Sequence, residues 1–66
     1  MTRGTVTAFD EAVGIGTLRG ADGRDYPFHC TQLADGTRTV PVGTAVLFEV
    51  VPGHLGRWEA AAIERG

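Results

Sequence analysis

The 66 residues carry six basic and eight acidic side chains for a net charge of -2, with 42% hydrophobic and 21% charged residues. A chain this short forms one domain, 1–66, that buries only about 60% of its unfolded surface, and its charge excludes the domain-wide basic excess of nonspecific polyanion binders. One cysteine excludes an intramolecular disulfide, and with two scattered histidines it gives no zinc spacing; no metal or cofactor is expected.

Ten glycines and little helix-forming sequence favour an all-β fold. Residues 4–9 (GTVTAF) set Thr5 and Thr7 around Val6, the period-two pattern of a half-buried strand. Asp10-Glu11-Ala12 breaks it, and residues 13–18 (VGIGTL) read as the second strand of a hairpin, in which Gly14 and Gly16 admit another backbone or a ligand. Asp22-Gly23 is a turn signal leading into a third strand over 26–30, and Pro27, which lacks an N–H, makes that strand either short or an edge there. Residues 31–42, with Asp35-Gly36 inside, read as a long surface loop with one helical turn near 31–34.

Residues 44–51 (TAVLFEVV) are the most β-prone stretch, and Val46, Phe48 and Val50 should face the core. Pro52-Gly53 ends this strand, residues 54–57 reverse the chain, and 58–64 (WEAAAIE) close it. That last segment is helix-compatible by propensity, but a seven-residue helix is marginal and the fourth strand needs a partner, so a fifth strand is expected. Five short strands with almost no helix must close on themselves to hide their edges, which leaves a small barrel of OB or SH3-like type. No apolar run approaches the ~20 residues of a membrane span and no basic-then-apolar leader opens the chain, so a cytoplasmic location is expected by exclusion.

The residue order separates the two barrels. Gly4-x-Val6-x-x-Phe9, Gly14-x-Gly16-x-Leu18, Asp22-Gly23, Asp25-x-x-x-His29 and Gly43-x-x-Val46-x-Phe48-Glu49-Val50 together resemble the bacterial cold-shock domain along nearly the whole chain. The resemblance implies a five-stranded antiparallel OB-type barrel that binds single-stranded RNA or DNA, stacking bases on aromatics of strands one to three. It also implies where this chain departs from the family. Thr7 and Ala8 stand at the lysine and tryptophan positions of strand one, and Val13, Ile15 and Thr17 at the lysine and two phenylalanines of the second motif. Pro27 and Cys30 replace the two phenylalanines of the third strand, and Thr37 and Arg38 a loop phenylalanine and lysine. Phe9 and His29 are kept. Each base–aromatic stack contributes about 1–3 kcal/mol, so losing four or five removes on the order of 5 kcal/mol, roughly a thousandfold in affinity.

Weak or specialised single-strand binding is therefore expected, through Phe9, Ile15, Thr17, His29, Arg38, Arg57 and Trp58. Trp58, which the family pattern lacks, reads equally well as a relocated stacking platform beside Arg57 or as a core plug. The alternative is a barrel that binds no nucleic acid and acts through a protein partner or as a homodimer over an Ala8/Ile15/Pro27 apolar patch. His29 and Cys30, as strand neighbours, point to opposite faces, which argues for a surface histidine beside a half-buried thiol. Gly14-x-Gly16 has neither the following helix nor the Lys-Ser/Thr of a phosphate loop. Without paired acids or a nucleophile and base, an enzyme is not expected.

Overall fold

Five antiparallel strands form one sheet, β1 Thr2–Asp10, β2 Ile15–Gly20, β3 Asp25–His29, β4 Ala45–Pro52 and β5 Trp58–Arg65, in the order β3-β2-β1-β4-β5. They are seen in a computed structural model that describes the backbone of residues 1–66 and every side chain except that of His54. The edge strands β3 and β5 meet, so the sheet curls into a barrel, the closure that hides edges in so small a β protein. No ladder joins these two edges. A 3-10 turn, Cys30–Gln32, follows β3 instead, and Leu33 then bridges to Ile63 while the Ala34 N–H donates to the Ile63 carbonyl at 2.8 Å. No helix among the described residues is long and apolar enough to cross a membrane.

The interior holds Val6, Leu18, Tyr26, Phe28, Val46, Phe48, Ala60 and Ile63. β4 alternates as its sequence dictates, with Val46 and Phe48 buried and Val50 packed partly buried against them. The fifth segment is a strand, as partnering of β4 requires, and Pro27 lies on the edge strand.

Two register shifts shape the barrel. In β1, Val6 pairs with Leu18 but Ala8 with Thr17, so Thr7 is an extra residue. The shift turns Phe9, opposite Gly16, to the same inner face as Val6. In β5, Glu64 pairs with Leu47 but Ala61 with Glu49, and Ala62 takes φ 50°.

The two glycines of β2's approach have separate tasks. Gly14, at φ 72°, ends the β1–β2 turn, its N–H donating to the Asp10 carbonyl at 2.8 Å. A Cβ on Gly16 would lie 2.6 Å from Phe28 Cζ and 2.8 Å from Phe9 Cδ1; its absence lets those rings stack with centroids 6.0 Å apart.

Two expectations are corrected. β2 begins at Ile15 rather than Val13, because residues 11–14 are used in the turn, where the Ala12 N–H donates to Asp10 Oδ1 at 3.0 Å. The 31–42 connection is not wholly surface: Leu33 and Val40 are 4% and 3% exposed and fill the gap that the unpaired edges leave. Arg65 ties this connection to β5, through Asp35 at 2.9 Å, the Thr37 hydroxyl at 3.1 Å and the Thr39 carbonyl at 2.9 Å.

Candidate nucleic-acid interface

Because opposed residues of an antiparallel pair share a face, the register sets three rows across the outside of β1, β2 and β3. They are Thr5–Arg19–Asp25, Ala8–Thr17–Pro27 and Asp10–Ile15–His29. In the first row Arg19 Nε donates to Asp25 Oδ1 at 2.9 Å, and this bond and charge hold the Asp25 carboxyl below the usual carboxylate range. The second row is uncharged. In the third, Ile15 is 50% exposed, and His29 caps the 3-10 turn, its Nδ1 accepting from the Thr31 N–H at 3.2 Å. A neutral ring that accepts at Nδ1 carries its proton on Nε2, which keeps a donor for a ligand. Cys30 packs half-buried against the core, its sulfur 3.9 Å from His29 Nδ1. No group of three or more metal-binding side chains occurs among the described residues.

Beside these rows the β4–β5 reversal rises into a wall. Ile15, Pro27 and His29 on one side and Leu55, Arg57 and Glu59 on the other enclose a groove of about 420 Å³. An adjoining cleft of about 280 Å³ is lined by Arg24, Asp25, Tyr26, Pro27, Arg57 and Trp58. Pro27 and Arg57 line both, so the two run together along the β3 edge that carries no ladder. Leu55 takes φ 57° ahead of Gly56 at φ 75° and is 88% exposed. An apolar side chain held outward on left-handed backbone is strained, and such strain gathers at functional sites.

The structure brings Ile15, His29 and Arg57 into one groove and sets Trp58, 54% exposed, in the adjoining cleft. Thr17 lies beside Pro27 in the middle row. Phe9 is half-buried against Phe28, and Arg38 is exposed on the 34–44 connection; neither lines the groove or the cleft. Sequence reasoning missed Leu55 and Arg24. Leu55 is signalled by its place between Gly53 and Gly56, where an apolar residue has little to pack on, whereas Arg24 carries no signal until the β2–β3 register is known.

Charge is distributed unevenly. Of the six arginines, Arg19 and Arg65 are held in ion pairs, while Arg3, Arg24, Arg38 and Arg57 are in none among the described residues. Two of these four arginines, Arg24 and Arg57, line the cleft. An exposed indole, apolar walls and two unpaired guanidiniums can stack a flat ring and hold an anion.

No family model and no curated protein matches the chain. Among solved structures it is similar to Drosophila Unr cold-shock domains (CSD456), at 27% identity and a TM-score of 0.81 over 98% of this chain. The chain spans about a quarter, 26%, of the length of that structure. With five antiparallel strands in one sheet closed into an OB-type barrel, the chain has the fold of a cold-shock domain.

Proposed function

We propose that this chain is a single-strand nucleic-acid-binding module, for RNA or DNA, whose affinity is weak or specialised. The observation that carries the reading is the channel along β3, where the open outer face of β1–β3 meets Arg57 and Trp58. Single-stranded ligands are held by guanidiniums that track the backbone and by flat side chains that receive bases. The outer rows offer Ala8, Ile15, Thr17 and Pro27 in place of rings, so stacking falls mainly to Trp58 and the affinity drops accordingly.

The test titrates short deoxythymidine and uridine oligomers at low salt, following Trp58 emission and the NMR shifts of His29 and Ile15. The expected result is a saturable change at these residues with a Kd weaker than micromolar. No change in either observable at millimolar oligomer rejects the proposal. A homodimer over Ala8, Ile15 and Pro27 is the second reading, favoured by the exposure of Ile15 and Leu55 on the same side. It requires a sedimentation mass that rises with concentration, and a constant monomer mass rejects it.

A further inference from the structure

We infer that the cleft around Trp58 is a single-nucleotide subsite, in which one base stacks on the indole while Arg24 and Arg57 hold its phosphate. The inference rests on the single-strand-binding reading and adds where, and by which residues, one nucleotide is taken.

Trp58 opens β5 opposite Pro52, where the barrel wall begins, and is left more than half exposed while lining the cleft. Both arginines have fixed backbones, and the Arg24 charge also acts on the nearby Asp22 carboxyl. The Arg24 N–H donates to Asp22 Oδ1 at 2.9 Å and its carbonyl accepts from the Gly20 N–H at 2.9 Å. The Arg57 carbonyl accepts from the Gly53 N–H. Neither guanidinium is in an ion pair among the described residues. The one carboxylate lining the cleft, Asp25, receives two bonds from Arg19, at 2.9 and 3.4 Å, so its charge is already compensated from outside the cleft. The cleft therefore favours an anion. Its volume of about 280 Å³ lies at the lower end of the ~300–1,000 Å³ usual for ligand pockets, room for one planar ring. Continuity with the larger groove through Pro27 and Arg57 lets the next nucleotide of the same strand lie against Ile15 and His29. The three outer rows of β1–β3 hold no aromatic ring beside His29, so the strand's main stack moves to the edge of β3.

Hexamers of deoxythymidine and uridine are titrated into the wild-type chain, Trp58→Leu, Trp58→Phe and the pair Arg24→Gln with Arg57→Gln. NMR shifts at Ile15 and His29 report binding independently of the indole. The expected result is quenching of Trp58 with the Kd that NMR gives, a rise in Kd of about tenfold in Trp58→Leu and in the double arginine variant, and recovery of most of the affinity in Trp58→Phe. Circular dichroism confirms that each variant stays folded. Binding at Ile15 and His29 with unchanged Trp58 emission and an unaltered Trp58→Leu Kd would overturn the subsite and leave the broader reading standing. If no observable moves in the wild type, both fall. An acidic peptide that displaces the hexamer with equal affinity overturns the subsite as well, because charge alone would then account for occupancy.

Discussion

Tyr26 is a core ring with a polar tip: the ring lies 5.4 Å from that of Phe48, and the hydroxyl donates to Asp22 Oδ2 at 2.5 Å. That bond, helped by the Arg24 N–H, holds the Asp22 carboxyl below its ordinary range, and the carboxylate with burial pushes the Tyr26 phenol up. The signs set a window. A depressed Asp22 stabilises the fold above its unfolded value near 4 and loses this as pH falls through the lower folded value; a raised Tyr26 stabilises below about 10 and loses this as pH rises through the higher one. In Tyr26→Phe the alkaline fall in Tm from tyrosine should vanish, since this is the single tyrosine, and the acid fall should shrink without disappearing, because Asp25 and Asp35 are also depressed. A Tm-against-pH curve identical to that of the wild type would show that the bond does not form in solution. A second residue, Phe9, marks a limit of the sequence. Its spacing matches a family position, yet the extra residue at Thr7 turns it inward onto Phe28, and no side chain in GTVTAF announces a bulge.

At the scale of elements, β4 was fully legible because both its faces obey one period, whereas β5 was ambiguous for a physical reason. Its buried side chains, Ala60 and Ile63, are three apart, a helical spacing that the extra residue produces within a strand. Ala62 takes φ 50° there and is exposed, so its methyl adds left-handed strain with no buried packing in return. Left-handed backbone costs a non-glycine residue about 1–2 kcal/mol, partly offset by the ~0.5–1 kcal/mol of freedom that glycine loses on folding. Ala62→Gly should therefore stabilise by about 0.5–1 kcal/mol, read as a Tm gain of several degrees; a loss would mean that the bulge does not form. Gly16→Ala runs the other way. Its Cβ would meet Phe28, Phe9 and the Ala8 carbonyl, and overpacking of this kind costs about 1–3 kcal/mol in denaturant titrations.

For the whole molecule, net charge does not say where the charges act, because pairing decides which guanidiniums stay outside ion pairs. The composition states six arginines against eight acids, but only the folded register shows Arg19 spent on Asp25 and Arg65 on Asp35. The barrel itself was readable, since turn glycines and inward apolar residues recur at the spacings that closure demands. The channel was not, because it joins the β2–β3 turn to the β4–β5 reversal, segments more than thirty positions apart whose approach depends on how the barrel closes. The salt dependence of binding reads this arrangement directly. Each phosphate neutralised on a single strand contributes about -0.7 to the slope of log K against log salt, so the one phosphate held jointly by Arg24 and Arg57 predicts a slope of about -0.7. Arg24→Gln combined with Arg57→Gln should bring the slope towards zero, while Arg19→Gln should weaken binding without removing a phosphate contact, because it leaves the Asp25 carboxylate uncompensated at the cleft. A slope near zero in the wild type would mean that apolar contact alone holds the strand, and the two unpaired guanidiniums would then have no part in recognition.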